Sequence, residues 1–161
     1  FIPINKHGLN SRENIIRLEE LFESEKCIVI FPSGLVSRKK SGIIKDLEWR
    51  KTFVTKAKKH NKPIYPVYIS GQNSNRFYKI ARWRSLIGIK INLEMFFLVD
   101  EMFKQKGNTI EITMGKIIEP KLLDSKKNDS EWAQAIKNHV YNLQNNINFE
   151  FIESIKNEKN Y

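Results

Sequence analysis

The feature that most limits the possible folds of this chain is an apolar run that ends abruptly in Pro, Ser and Gly. Residues 27–31 (Cys-Ile-Val-Ile-Phe) are apolar and mostly β-branched or aromatic, which is typical of a strand buried on both faces. Pro32 ends the run because it has no N–H to donate to a ladder. Ser33 and Gly34 then allow a sharp turn and a close approach of a ligand to the backbone.

A hydroxyl and three cations follow this turn at residues 37–40, beginning with Ser37 and Arg38. Ligands bind at the carboxyl ends of strands in open α/β sheets, so the stretch predicts a small anion cradle at the mouth of a buried strand. A plain strand followed by a solvated basic turn explains the same residue types about equally well, because surface loops are commonly polar.

The net charge indicates that the protein binds an anionic partner. The sequence has 28 Lys and Arg against 18 Asp and Glu, a formal charge of +10. This excess implies nucleic acid, an anionic membrane surface or a phosphate-bearing substrate. An aromatic content of 11% favours a lipid surface, because aromatic side chains anchor at membrane interfaces. The single cysteine, Cys27, is expected to be a small core hydrophobe.

Helical and extended patterns alternate through the first half of the chain. Helices are predicted after Asn10 or Ser11, after Asp46, from Arg76 to Ile87, and after Asp129 or Ser130. Strands are predicted at Ile2–Asn5, Cys27–Phe31, Ile64–Ile69 with an irregularity at Pro66, and Thr109–Met114. The chain is therefore expected to form a single α/β domain with a mixed, partly parallel sheet flanked by helices.

Residues 76–84 interleave aromatic and basic side chains. Such a helix can lie on anionic lipid, can bind nucleic acid with rings stacked on bases, or can be a core helix with a solvated charged face. The first alternative makes candidate membrane contacts of Phe77, Tyr78, Arg82, Trp83 and Arg84.

The sequence contains candidate residues for an anion site but no complete set of catalytic residues. His7, His60 and His139 have no metal-like spacing to other ligands, so no metal site is expected. If the first two predicted strands are parallel neighbours, Lys6 and Arg38 converge at one sheet edge. There Arg38 would grip an anion bidentately, and Lys6 would act as a point charge.

Four blocks, in order, resemble the glycerolipid acyltransferases of the lysophosphatidic-acid acyltransferase superfamily. Residues 31–37 (FPSGLVS) resemble the family's F-P-E-G-T-R-S block, and residues 3–6 (PINK) resemble its F-I-D-R block. Residues 64–69 and 112–118 resemble its later strands. Residues 31–49 and 71–102 are also similar to a Bacteroidetes branch of glycerol acyltransferases, often labelled hemolysins, that includes proteins implicated in making glycine lipids.

The resemblance implies a glycerol-3-phosphate acyltransferase-like domain over residues 1–120, with residues 121–161 as a C-terminal helical extension. It implies acyl transfer from a thioester of acyl carrier protein or coenzyme A, with no bound cofactor. The acceptor would be a lysophospholipid, glycerol phosphate or lyso-aminolipid. The substrate-binding positions would be Lys6, Phe31, Pro32, Ser33, Gly34, Ser37 and Arg38.

The chain departs from the family pattern in its catalytic residues. No histidine is followed five positions later by aspartate, although the family uses such a motif, upstream of its F-I-D-R block, as general base and orienting group. Because the sequence starts near that block, the catalytic His and Asp are expected upstream of Phe1. The chain is therefore expected to be an inactive part of a bacterial enzyme, peripheral on the cytoplasmic face of the inner membrane.

A second departure concerns the acceptor. Ser33 replaces the family's Glu, which favours an acceptor other than lysophosphatidic acid. The competing expectation for the whole chain is a non-enzymatic basic module that binds nucleic acid.

Overall fold

A computed structural model describes residues 12–89 and 91–152 of the chain. These residues form one mixed α/β unit, which confirms the expected fold class. The α-helices are α1 (Arg12–Glu23), α2 (Thr52–Lys59), α3 (Asn75–Leu86), α4 (Leu98–Lys104) and α5 (Asp129–Asn142). The strands are β1 (Arg38–Lys40), β2 (Ile43–Lys45), β3 (Val67–Ile69) and β4 (Ile112–Met114). Two 3-10 helices, Leu93–Phe97 and Pro120–Leu122, complete the described elements.

Helix starts follow the local sequence closely where a side chain can cap the backbone. The Ser74 side chain accepts from the N–H of Phe77 at the start of α3. Asn128 and Glu131 form a reciprocal capping box at the start of α5, one residue before the predicted cap.

The helix expected after Asp46 begins only at Thr52. The backbone N–H of Asp46 donates instead to the Tyr141 hydroxyl, at 2.8 Å. Farther along the segment, the Gln134 side chain bonds both the N–H and the carbonyl of Trp49, and Lys137 donates to the carbonyls of Asp46 and Leu47. These contacts with α5 occupy backbone groups that a helix would use.

The strands pair in two antiparallel ladders. β1 and β2 form a hairpin in which Lys40 lies opposite Ile43. Ser41 and Gly42 connect them with φ values of 49° and 84°, the backbone of a two-residue turn that matches strand twist. β3 pairs with β4, and a single bridge joins Ile64 to Ile118. Pro66 lies between these pairings, so the irregularity predicted there is confirmed.

The buried strand predicted at Cys27–Phe31 is wrong. The segment forms no ladder within residues 12–89 and 91–152, and the side chains of Val29 and Phe31 are each 76% exposed. Cys27 is exposed as well, not a core residue. A β-branched run becomes a strand only when a partner backbone pairs with it. The other strand of the expected parallel pair, Ile2–Asn5, lies outside the described residues, and the ladders described are antiparallel.

The hydrophobic core lies between α2 and α5. Val54 from α2 packs in one cluster with Ala133 and Ile136 from α5 and with Ile118, and the buried Phe151 belongs to the same cluster. Residues on both sides of position 120 therefore share one core. The division of the chain at residue 120 stays a prediction.

Glu19 fastens α1 to α2. Its carboxylate binds the ammonium groups of Lys56 and Lys59, and Nε2 of His60 lies 2.9 Å from it. Hydrogen bonds from Lys56, then Lys59, lower the pKa of Glu19 to about 2. The ionised carboxylate is thus favoured in the folded state.

We expect Glu19→Gln to lower the urea midpoint of unfolding at pH 7 and to flatten its acid dependence. The unfolded pKa is near 4.5 and the folded pKa near 2, so this stabilisation is complete above pH 4.5 and is lost as the pH falls from 4.5 to 2. Urea titrations from pH 2 to 7 measure the difference. Glu20→Gln, at an exposed neighbour without an ion pair in the described chain, is the control. Equal effects of the two changes would contradict the role of Glu19.

Candidate functional site

Residues Phe31–Gly34 form a tight turn held by the segment before α2. The N–H of Gly34 donates to the Phe31 carbonyl at 3.3 Å, and the N–H of Arg50 donates to the Pro32 carbonyl at 3.1 Å. The hydroxyl of Ser33 donates to the Leu35 carbonyl at 3.0 Å. Gly34 has φ 67°, a conformation that side chains disfavour. The block predicted to bind substrate is therefore a fixed turn, although its Phe31 ring is exposed.

The next two predicted site residues face the interior of the domain. The Ser37 hydroxyl lies 3.3 Å from the Tyr78 hydroxyl. A guanidinium nitrogen of Arg38 lies 2.6 Å from Oε1 of Glu94, and Nε of Arg84 donates to Oε2 of the same carboxylate at 2.8 Å. Glu94 is completely buried. Arg38 and Arg84 therefore engage the same internal carboxylate, and the substrate-binding role of Arg38 stays a prediction.

The remaining predicted residues on α3 divide between surface and interior. Phe77 and Tyr78 are buried, with 1% and 3% of their surface exposed, because α3 turns them toward the domain; neither side chain is available to a membrane. Trp83 is 71% exposed, and Arg82 is also on the surface.

Two predictions concern the N-terminal end of the sequence. Phe1 and Lys6 both lie outside the described residues, so the structure does not place Lys6 beside the turn or away from it. The substrate-binding role of Lys6 and the position of the catalytic His and Asp upstream of Phe1 therefore stay predictions.

A basic cavity of about 180 Å³ lies between the β1–β2 hairpin and α3. Its lining side chains are those of Lys39, Ser41, Asn75, Tyr78, Lys79 and Arg82. The ammonium group of Lys39 donates to the Asn75 side-chain oxygen at 2.8 Å, which fastens the hairpin to the first turn of α3. The cavity thus combines Lys39, one of the cations at residues 37–40, with side chains of α3, and Lys40 does not line it. The anion cradle expected at these residues stays a prediction.

The sequence did not reveal two buried carboxylates that organise this region. Glu94 lies in an apolar segment, and a lone charge in such a segment was the available signal. Glu101 accepts hydrogen bonds from both the backbone N–H and the hydroxyl of Ser74, and from Lys104. Burial alone would raise the pKa of Glu101, but the hydrogen bonds from Lys104 and Ser74 lower it. Glu101 thereby holds the start of α3 in place.

Within residues 12–89 and 91–152, no group of three or more His, Cys, Asp or Glu side chains is arranged to hold a metal ion. None of the helices in the same part of the chain is long and apolar enough to cross a membrane.

A family model described as an acyltransferase matches residues 1–150. The chain belongs to this acyltransferase family. The family assignment confirms the resemblance drawn from the four sequence blocks. No solved structure gives a significant match to the chain.

Two curated relatives are named lyso-glycine lipid O-acyltransferase. One, from Phocaeicola vulgatus, is 44% identical over 142 residues, which are 88% of this chain and 51% of the relative. The other, from Bacteroides thetaiotaomicron, is 39% identical over 142 residues, which are 88% of this chain and 52% of the relative. The chain thus spans about half the length of the curated relatives it matches.

We expect Glu94→Gln to lower the free energy of unfolding by about 3 kcal/mol, because it leaves two guanidinium groups without their buried counter-charge. Arg38→Ala is expected to cost less, since Arg84 continues to neutralise Glu94. Urea denaturation of both variants measures the order. Glu48→Gln, at an exposed carboxylate, is the control. A Glu94→Gln loss no larger than that of the control would contradict the arrangement.

Proposed function

We propose that the protein containing this chain transfers a fatty acyl group to the hydroxyl of a lyso-glycine lipid. The observation that carries this proposal is the 44% identity, over 88% of the chain, to a lyso-glycine lipid O-acyltransferase. Among lysophospholipid, glycerol phosphate and lyso-aminolipid acceptors, this likeness favours the last. The acyl donor in the proposal is a thioester of acyl carrier protein or coenzyme A, with no bound cofactor.

In the reaction, the acceptor hydroxyl oxygen attacks the thioester carbonyl carbon. A C–O bond forms and the C–S bond breaks, and the hydroxyl proton leaves through a general base to the departing thiolate. The base and its orienting carboxylate are a His and Asp five positions apart in the resembling family. This chain has no such pair, so we infer that residues outside it provide the base.

The part of the reaction assigned to this chain is the binding and orientation of the acceptor. The fixed turn Phe31–Gly34 can present its backbone closely to a ligand, because Gly34 has no side chain. Ser33 is neutral where the resembling family has Glu, and its hydroxyl is engaged by Leu35. The turn therefore adds no negative charge near an acidic lipid. This supports a headgroup that carries its own carboxylate.

We expect the complete protein to transfer a labelled acyl chain from acyl carrier protein or coenzyme A to a lyso-glycine lipid, and the 161-residue chain alone to transfer none. Thin-layer chromatography of the extracted lipids measures both. Transfer to lysophosphatidic acid but not to lyso-glycine lipid would contradict the acceptor. Activity of the isolated chain would contradict the placement of the base. No transfer from either donor would contradict the acyltransferase proposal.

We further propose that the protein binds peripherally to the anionic cytoplasmic face of the bacterial inner membrane, where its acceptor would reside. Trp83 and Leu86 of α3 are strongly exposed, and Phe96, on the 3-10 helix that packs against α3, is 79% exposed. Exposed aromatic residues beside cations such as Arg82 fit a lipid interface. This surface replaces the buried Phe77 and Tyr78 in the membrane-contact hypothesis.

We expect Trp83→Ser combined with Phe96→Ser to reduce sedimentation of the complete protein with anionic vesicles several-fold, because two interfacial anchors are lost. Tyr65→Ser removes an exposed aromatic elsewhere and is the control. Vesicles of phosphatidylglycerol and phosphatidylcholine separate the charge effect from the apolar effect. Tighter binding to duplex DNA, measured by gel mobility shift at moderate salt, than to sedimented anionic vesicles would favour the nucleic-acid module instead.

A further inference from the structure

The basic cavity brings three cations together from two elements. Lys39 comes from β1, and Lys79 and Arg82 come from α3. The volume of about 180 Å³ is several times the roughly 30 Å³ that one water molecule occupies in the liquid. The cavity can therefore hold a carboxylate or phosphate group together with its first atoms of linker.

The cations of this cavity lack a carboxylate partner among the described residues. Across residues 12–89 and 91–152, no carboxylate forms an ion pair with Lys39, Lys79 or Arg82. The neighbouring arginines behave differently, since Arg38 and Arg84 share the buried Glu94. Cations that converge without a counter-charge repel one another, and a bound anion would remove that repulsion.

Hydrogen bonds and turn geometry order parts of the cavity wall. The hydrogen bond from Lys39 to Asn75 fixes one wall against α3. The left-handed backbone at residues 41–42 fixes the tip of the hairpin. The buried ring of Tyr78 lies at the cavity, with its hydroxyl accepting from the Asn73 N–H at 3.2 Å. A binding site with such walls loses little conformational entropy when a ligand enters.

An apolar surface continues from the cavity along the same helix. On α3, Lys79, Arg82 and Leu86 follow one another at spacings of three and four residues, so they share a face. Leu86 is 73% exposed, about one helical turn beyond Arg82. The face is therefore cationic at one end and apolar at the other, which matches a ligand with an acidic headgroup and a hydrocarbon tail.

We infer that the basic cavity binds the acidic headgroup of the acyl acceptor, with Lys39, Lys79 and Arg82 as its ligands and Leu86 beneath the start of the acyl chain. The inference rests on the proposed function. Glycine joined to a lipid through its nitrogen presents a free carboxylate, a group that can accept charge-assisted hydrogen bonds from lysine and arginine. A phosphate of the acyl donor has similar chemistry, so the test must separate acceptor from donor.

The experiment compares two acceptors in the complete protein: the lyso-glycine lipid and its primary amide, which has no negative charge. We expect the KM for the acid to rise about tenfold or more in K79Q/R82Q, the effect of losing charge-assisted hydrogen bonds. Both acceptors are supplied in neutral detergent micelles, so that the membrane contact proposed for Arg82 does not contribute. The KM for the amide and the kcat for both acceptors then stay within about twofold, since the change removes binding that the ground state already has. K40Q is the matched control, because Lys40 follows Lys39 on β1 and does not line the cavity.

Each outcome has a separate meaning. A rise in KM for the acid alone supports the headgroup assignment. Unchanged KM values in K79Q/R82Q, or equal effects in K40Q, overturn it and leave the acyltransferase proposal standing. A rise in KM for the acyl donor alone assigns the cavity to the donor's phosphate and overturns the acceptor assignment. A wild-type protein that acylates neither acceptor overturns the proposed function itself. A KM for the acid that stays near the wild-type value in K79R/R82K would support the assignment, because that variant keeps both positive charges and changes only the side-chain shapes.

Discussion

The arrangement of this domain depends on one buried carboxylate. Glu94 has no exposed surface, and it joins Arg38 of the hairpin to Arg84 of α3. A buried charge is tolerated only when its partners are well placed. The hairpin, α3 and the 3-10 helix Leu93–Phe97, which carries Glu94, must therefore meet in one geometry. Lys39 is the next residue after Arg38, and Arg82 precedes Arg84 on α3. The position of the basic cavity is therefore a consequence of the ion pairs around Glu94.

Elements specified by local signals were predictable from the sequence. The helices α1, α3 and α5 have apolar stripes and candidate capping residues in the sequence, and the start of each was predicted to within a few residues. The interruption at Pro66 was predictable for the same reason, since proline cannot donate to a ladder. The failures depend on distant partners. The run at residues 27–31 has strand propensity, but no strand within residues 12–89 and 91–152 pairs with it.

The same distinction applies to the candidate site. The turn at residues 31–34 and the basic residues after it were visible in the sequence, and their resemblance to a known block identified the family. The Arg38–Glu94 pair spans 56 positions and the Lys39–Asn75 contact spans 36, so no local pattern connects them. Interleaved aromatic and basic residues on α3 were visible too. Which of those rings is inside became clear only from the packing, where Phe77 and Tyr78 turn inward and Trp83 turns outward.

The exposed run at residues 27–30 has a consequence for the behaviour of the chain in solution. It is rich in β-branched residues, its Val29 and Ile30 are exposed, and no strand in the described part of the chain pairs with it; such segments can pair with their own copies. The net charge of +10 opposes such association by long-range repulsion. Salt shortens the range of that repulsion to about 8 Å at physiological ionic strength. The solubility of the isolated chain is therefore expected to fall as ionic strength rises, because salt weakens the repulsion that opposes pairing through residues 27–30.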